Sequence, residues 1–100
     1  MAQFDIYAHQ GEGIDYLLDL QDELLEPLTT RVVAPLARAE NVGPAMKTVN
    51  PRIRIGGADY LLLTQLLAAI PIAALGQPVA SAKTQRTEIV AALDFLFTGI

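Results

Sequence analysis

The C-terminal segment carries the clearest hydrophobic period of the chain. At about 100° per residue, one side of the segment 84–100 is apolar, with Ile89, Val90, Leu93, Leu96, Phe97 and Ile100, and a helix is predicted over residues 84–98. The opposite side holds Thr87, Ala91, Asp94 and Thr98, with the ring of Phe95 among them. Gly99 suits the left-handed residue that ends many helices, and Ser81 or Thr84 suits the N-cap. The pattern predicts a helix with a buried stripe and with Phe95 on its exposed side.

The N-terminal segments, residues 3–8 and 14–20, alternate between apolar and polar positions with the period of a half-buried strand. One side of the first segment holds Phe4, Ile6 and Ala8, and one side of the second holds Ile14, Tyr16, Leu18 and Leu20. The Gly11-Glu12-Gly13 sequence between them is typical of a turn. The two segments are therefore predicted to pair as an antiparallel hairpin.

Residues 21–30 are predicted to form an acidic loop, because acids and Pro27 surround the apolar pair Leu24 and Leu25. The two leucines have little apolar company nearby in the sequence. We therefore expect another part of the fold, or a partner, to cover them.

A run of β-branched residues at 31–36 predicts a further strand. Its Pro35 cannot donate a ladder hydrogen bond, so we expect it at an edge or a bulge. Residues 37–50 lose all period and are expected to form a long loop with a short helical turn at 45–48.

The next segments, residues 51–55 and 60–63, are predicted to form a second hairpin around Gly56-Gly57. We expect residues 61–70 to continue as strand and then to form a short irregular or helical turn. Residues 72–75 are predicted to be a short strand between Pro71 and Gly76. The expected fold class is mainly β with one C-terminal helix.

Length and composition favour one domain, residues 1–100, that associates with a copy of itself. Apolar residues make up 52% of the chain, which is more than a core of this size can hide. The chain contains no cysteine, which excludes disulfides and thiolate metal sites. The N-terminus lacks an export leader, so we expect a cytoplasmic protein. The most apolar stretch, residues 60–75, is too short and too interrupted for a membrane crossing.

The net charge of −4 is unevenly distributed. Residues 1–30 hold seven acids and no lysine or arginine, whereas the seven bases are scattered over the rest of the chain. A nucleic-acid-binding protein normally gathers its bases into a patch. Direct binding of DNA or RNA is therefore not expected.

No constellation for catalysis or for cofactor or metal binding is evident. The single histidine, His9, lacks the companions of a zinc site or a general base and is interpreted as an exposed residue at a strand end. Four acids match no cation-binding loop and are interpreted as a solvated face: Asp19, Asp22, Glu23 and Glu26. The paired glycines lack the lysine and helix of a phosphate site and are interpreted as turns.

The order and spacing of several short motifs resemble the CcdB family, the toxins of toxin-antitoxin modules. The motifs are Gln3-Phe4-Asp5-Ile6-Tyr7, Asp19-Leu20-Gln21, Arg31-Val32-Val33-Ala34-Pro35-Leu36, Ile55-Gly56, Ile70-Pro71, Leu75-Gly76 and Phe97-x-Gly99-Ile100. The resemblance covers nearly the whole chain. It implies a small SH3-like antiparallel barrel with one C-terminal helix, assembled as a two-fold homodimer.

The resemblance also implies a non-enzymatic function. Toxins of this family bind the A subunit of DNA gyrase and trap the enzyme on cleaved DNA. The gyrase-binding residues expected here are Asp94, Phe95, Thr98, Gly99 and Ile100. Active members end in Trp-Gly-Ile, and Thr98 takes the position of the tryptophan in this chain. The chain end, with its carboxylate, is expected to form part of the contact surface.

A partly disordered antitoxin is the second partner that the resemblance implies. The positions matching its binding site are Leu24, Leu25, Asp94 and Phe97. Toxin and antitoxin together repress their own operon, with the antitoxin supplying most of the DNA contacts.

Two alternatives stay open at this point. The same fold family includes endoribonucleases similar to MazF, which need a basic groove with an acid-base pair. The other alternative is a dimer that still binds the antitoxin but has weak or lost gyrase activity, because Thr98 replaces the tryptophan.

Overall fold

The computed structural model describes residues 2–11, 13–25, 27–46 and 48–99. In that part of the chain, seven antiparallel strands form one curled sheet, and a single α-helix follows them. The elements are β1 Asp5–Gly11, β2 Ile14–Asp19, β3 Thr30–Arg38, β4 Arg52–Ile55, β5 Ala58–Leu62, β6 Ala68–Pro71, β7 Pro78–Ser81 and α1 Arg86–Thr98. The sheet order is β4-β5-β3-β2-β1-β7, and β6 also pairs with β3. The predicted mainly β architecture, a small barrel with one C-terminal helix, is confirmed.

Both predicted hairpins are present. Strands β1 and β2 pair with Ile6 opposite Leu18. The register shifts between Ala8 and Gly11, and Gly11 lies opposite Ile14. Strands β4 and β5 turn at Gly56-Gly57. Both of these glycines have positive φ, 56° and 83°, which residues with a Cβ atom adopt only at a cost.

Strand β3 is central to the sheet. Pro35 lies where the strand paired with one edge of β3 changes from β6 to β5. The first half of β3 pairs with β6 as far as Val33, and the second half pairs with β5 from Leu36. Pro35 lies between these two stretches, and its carbonyl accepts a hydrogen bond from the amide of Leu63 at 2.9 Å. A proline fits here inside the sheet because the ladder on that side of β3 is interrupted at this point.

The hydrophobic core lies between the curled sheet and α1. Its buried residues are Phe4, Ile6, Leu18, Leu20, Ala34, Leu36, Ile53, Tyr60, Leu62, Ala82 and Ile89. The alternation predicted for β1 fails at its centre, since Tyr7 is 1% exposed whereas Ala8 is exposed. The face on which Tyr7 lies also holds the buried Asp19 and Arg31, so both faces of the sheet are covered at this end.

The start of α1 differs from the prediction. A 3-10 turn, Lys83–Gln85, precedes the helix, and Gln85 occupies the N-cap position without a capping hydrogen bond from its side chain, which donates to the carbonyl of Arg52 at 2.7 Å instead. Ser81 Oγ accepts a hydrogen bond from the amide of Lys83 at 3.3 Å, and Ala82 is the N-cap of the 3-10 turn. Neither Ser81 nor Thr84 is the helix N-cap.

The end of α1 confirms the predicted glycine cap, but the exposure of two aromatic rings is the reverse of the prediction. Gly99 has φ 74° and donates its amide to the carbonyl of Phe95 at 2.9 Å. Phe97, predicted in the buried stripe, is 70% exposed, and Phe95, predicted on the exposed side, is half-buried. The buried residues of α1 are Ile89 and Ala92. Because the small Ala92 faces the core, the two rings fall on opposite flanks of the buried face.

The segment between β5 and α1 was predicted least well. After β5, a 3-10 turn at Thr64–Leu66 confirms the expected helical turn. Residues 72–75, predicted as a strand, instead contain a 3-10 turn, Ile72–Ala74. The strands β6 and β7 lie on either side of that turn. They are extended because β6 pairs with β3 and β7 pairs with β1. Their alanine-rich sequences carry no alternation that would reveal this pairing.

The expected loop over residues 37–50 begins later than predicted, because β3 continues to Arg38. It then contains a 3-10 turn, Ala39–Asn41. The amides of Val49 and Asn50 both donate to the carbonyl of Met46, at 2.9 and 2.8 Å. The helical turn predicted at 45–48 includes Lys47, which lies outside the described residues, and it stays a prediction. Within the described chain, no helix has the length and apolarity that a membrane crossing requires.

Candidate functional site

Three exposed leucines project from the loop between β2 and β3. Leu24 is 87% exposed, Leu25 46% and Leu28 50%, and we call these three residues the leucine turn. Leu24 and Leu25 belong to a 3-10 turn, Glu23–Leu25, in which no residue is buried. The expected cover for the two leucines is therefore not supplied by the described part of the chain. Exposed apolar groups of this size are typical of a contact surface.

The buried pair Asp19 and Arg31 lies at the base of this loop. Both side chains are fully buried, with Arg31 Nε 3.0 Å from Asp19 Oδ2 and Nη2 3.0 Å from Oδ1. The interpretation of Asp19 as part of a solvated acidic face is wrong, whereas Asp22 and Glu23 are exposed as expected. Glu26 lies outside the described residues. A signal was present in the sequence, since Arg31 is the first base after thirty residues without one.

Tyr7 lies in the same buried region, where the pKa values of both Tyr7 and Asp19 are raised. Burial raises the pKa of the Tyr7 hydroxyl, and the nearby carboxylates of Asp5 and Asp19 raise it further. Among the described residues, the Tyr7 hydroxyl has no hydrogen-bond partner. Burial also raises the pKa of Asp19, although the amide of Gln21 and the guanidinium of Arg31 act in the opposite direction.

The exposed face at the end of α1 holds several of the predicted partner-binding residues. Asp94, Phe97, Thr98 and Gly99 are exposed there, whereas Phe95 is half-buried. The Thr98 hydroxyl donates to the carbonyl of Asp94 at 2.6 Å. The exposed aromatic group at this end is therefore Phe97, and the Thr98 side chain is folded back onto the helix. Ile100 lies outside the described residues.

Arg86 connects the leucine turn with the exposed face of α1. It lines a cavity of about 240 Å³ together with Glu23, which begins the 3-10 turn. It also lines a cavity of about 320 Å³ together with Asp94. The guanidinium donates to Gln3 Oε1 at 3.1 Å and lies 5.7 Å from the centre of the Phe4 ring. One surface therefore extends from Glu23 to Asp94, and Phe97 follows about one helical turn further on.

The outer face of the sheet carries a separate apolar groove of about 350 Å³. Its lining residues are His9, Ile14, Leu17, Val33, Pro35, Leu66, Ala68, Ile70, Pro71 and Ala74. Leu66 is 55% exposed in this groove. His9 is exposed near the end of β1, as expected. The groove is suited to self-association because nearly every group that lines it is apolar.

Basic side chains near another cavity, of about 500 Å³, are paired with acids. Arg38 and Arg52 line it together with Glu40 and Asp59. Arg38 Nε lies 3.1 Å from Glu40, and Arg52 Nη1 lies 3.3 Å from Asp59. These pairs reduce the positive charge that an RNA backbone would require. Asp59 is shared, since Arg54 Nη1 lies 3.6 Å from its Oδ1. In the described ranges, no three histidine, cysteine or acidic residues lie close enough together to hold a metal ion.

Comparison with known families agrees with the motifs and the architecture. The family model described as CcdB protein matches residues 3–99, which is nearly the full chain. Membership of this family supports the role of toxin in a toxin-antitoxin module. From this match together with the curled antiparallel sheet and its C-terminal helix, we conclude that the chain belongs to the CcdB family.

Proposed function

We propose that this protein is a toxin that binds the A subunit of DNA gyrase and traps the gyrase-DNA cleavage complex. In this proposal a partly disordered antitoxin neutralises it, and the two proteins together repress their operon. Family membership supports the proposal. The observation that carries it is the continuous exposed surface from the leucine turn, past Arg86, to the C-terminal end of α1.

The proposed gyrase contact is the end of α1, formed by Asp94, Thr98 and Gly99 with Ile100 beyond them and Phe95 on the flank. The exposed helix carbonyls carry partial negative charge, and Asp94 adds a full one. A cationic surface on gyrase would complement this end. Phe97 supplies an exposed ring next to Thr98. Position 98 is the one at which active family members have tryptophan.

The proposed antitoxin contact uses Leu24, Leu25, Asp94 and Phe97. An extended or helical antitoxin segment lying along α1 would bury the two leucines at one end and the Phe97 ring at the other. It would also cover Asp94, so antitoxin and gyrase would compete for the same residues. A segment that folds on binding suits such an elongated surface, because disordered chains can wrap over long contacts.

We further propose a cytoplasmic homodimer in which residues 1–100 form one domain and the apolar groove on the outer face of the sheet is the interface. Leu17, Val33 and Leu66 would then be covered by the partner copy. The protein would act by binding alone, without catalysis and without direct contact to DNA, which the antitoxin would contact instead. The paired arginines at the 500 Å³ cavity support this view over the endoribonuclease alternative.

Expression without the antitoxin tests the proposal. The protein should stop growth of a gyrase-sensitive host, and co-expression of the antitoxin from the same operon should restore growth. With purified gyrase, it should increase the amount of cleaved plasmid DNA that is recovered after denaturation. Unimpaired growth together with unchanged gyrase cleavage would contradict the proposed target. Degradation of bulk RNA by the purified protein would support the endoribonuclease instead.

A further inference from the structure

Burial does not hold the leucine turn in place, since none of the residues in its 3-10 turn is buried. Hydrogen bonds to Asp22 define the turn instead. The amide of Leu24 donates to Asp22 Oδ1 at 2.8 Å, and the amide of Leu25 donates to the Asp22 carbonyl at 3.1 Å. The amide of Leu28 donates to the carbonyl of Leu25 at 3.0 Å. The position of both leucines therefore depends on what holds Asp22.

The guanidinium of Arg31 holds the chain at this point. Its Nη1 donates to the Asp22 carbonyl at 3.4 Å, and its Nη2 donates to the carbonyl of Gln21. Asp19 binds the guanidinium with both carboxylate oxygens and accepts the amide of Gln21 at 2.9 Å. The Asp22 carbonyl thus accepts from Arg31 on one side and from Leu25 on the other. A continuous series of hydrogen bonds joins the fully buried ion pair to the exposed leucines.

We propose that Arg31, oriented by Asp19, is a positioning residue that presents Leu24 and Leu25 to a partner in a fixed arrangement. The inference rests on the proposed function in so far as the partner is the antitoxin. A turn that is already ordered loses less conformational freedom on binding. Arg31 suits this role because its planar fork can donate to a carboxylate and to two carbonyls at once. Because Arg31 itself is fully buried, it would act through the turn rather than by touching the partner.

Measurements on the free protein test the positioning directly. Removing one member of a buried ion pair leaves an unpaired charge, whereas replacing both by apolar residues is often tolerated. We therefore choose the double variant Asp19→Leu/Arg31→Met. Backbone order parameters of Leu24 and Leu25 should fall from the rigid value near 0.85 to about 0.6 or lower. Those of the core residues Leu18 and Leu36 should not change. Unchanged order parameters at the leucines in this folded variant would overturn the proposal.

A binding cycle separates positioning from general stability. The probe is the full-length antitoxin of the same operon, and the added substitution is Leu24→Ala. In the natural background, Leu24→Ala should weaken binding about tenfold or more, because it removes most of the apolar surface that the antitoxin would bury at this position. In the double variant, the same substitution should weaken binding less than about threefold, because coupled residues are not additive. Equal effects in both backgrounds would show that Arg31 acts only on stability and would overturn the proposal.

Further outcomes separate this inference from the proposed function. If the natural protein does not bind the antitoxin, the proposed function fails, and the order parameters alone decide on positioning. If the double variant does not fold, Arg31→Lys takes its place. Its single ammonium keeps the charge but cannot serve Asp19 and both carbonyls together. Increased motion at Leu24 and Leu25 with an unchanged core supports the proposal, and unchanged motion at the leucines contradicts it.

Discussion

The hydroxyl of Thr98 donates a hydrogen bond of 2.6 Å to the main-chain carbonyl of Asp94. This bond turns the side chain back onto its own helix, at a position where active family members present an indole. The exposed end of α1 thus lacks a large group at position 98, although Phe97 beside it is 70% exposed.

Thr98→Trp should strengthen gyrase binding, because a tryptophan at a contact centre often contributes about 2 kcal/mol or more. The expected result is at least a tenfold lower dissociation constant for the gyrase A subunit, with stronger inhibition of supercoiling. Thr98→Val is the matched control, since it removes the hydroxyl without adding a ring. If Thr98→Trp stays folded but neither binds nor inhibits more strongly, position 98 does not decide the activity.

Replacing Phe95 and Phe97 separately by alanine should distinguish a ring that contacts a partner from a ring that packs within the fold. Phe97→Ala should change the free energy of unfolding by less than about 0.5 kcal/mol, because Phe97 is mostly exposed. It should nevertheless weaken binding to gyrase and antitoxin. Phe95→Ala should lower stability by about 1–3 kcal/mol, because Phe95 is half-buried. Urea denaturation and pull-down assays measure the two effects, and the reverse pattern would restore Phe95 as the exposed contact ring.

Leu25→Asp should weaken antitoxin binding at least tenfold, because it places a charge on an apolar contact surface. Leu25 is 46% exposed, so the substitution should leave the fold intact. Circular dichroism serves as the folding check, and titration with the antitoxin measures the affinity. Binding as tight as that of the natural protein would remove the leucine turn from the antitoxin site.

Leu66→Asp should dissociate the proposed homodimer, since Leu66 lines the apolar groove on the outer face of the sheet. Val79→Asp is a matched control, because Val79 is 57% exposed, close to the 55% of Leu66, but lies on the edge strand β7. Sedimentation at micromolar concentration should give one chain for Leu66→Asp and two for both the control and the natural protein. A natural protein with the mass of one chain at these concentrations would contradict the dimer.

Local patterns predicted the hairpins, because alternation and the glycines at positions 56 and 57 act within a few residues. The glycine cap of α1 was predictable for the same reason. The helical period gave the existence of α1 but not the orientation of its rings, because the small Ala92 rather than a larger residue faces the core.

Non-local contacts account for the rest of the fold and the site. Strands β6 and β7 exist because β3 and β1 offer partners to alanine-rich segments that have no period of their own. Asp19 and Arg31 are twelve residues apart, and only the β2-β3 pairing brings them together. Leu24, Leu25 and Asp94 were named from the family resemblance, and their link through Arg86 depends on the tertiary fold.

Tyr7→Phe should change the pH dependence of stability. Burial raises the pKa of the Tyr7 hydroxyl above its ordinary value of 10.0 in the folded protein. The folded state therefore keeps this proton where the unfolded chain loses it. The free energy of unfolding should consequently fall as the pH rises above about 10. Without the hydroxyl, this fall should be shallower, as urea denaturation above and below pH 10 would show.

The same substitution tests the orphaned hydroxyl at neutral pH. In the described chain the Tyr7 hydroxyl is buried without a hydrogen-bond partner, a state that costs about 1–3 kcal/mol. Tyr7→Phe keeps the ring and removes only this oxygen, so it should leave stability at pH 7 unchanged or raise it. Tyr16→Phe is the control, because the pKa of Tyr16 is also raised but its hydroxyl is not a buried group without a partner. If Tyr7→Phe lowers the free energy of unfolding at pH 7 by more than about 1 kcal/mol, the hydroxyl forms a net favourable hydrogen bond that the phenylalanine ring cannot form.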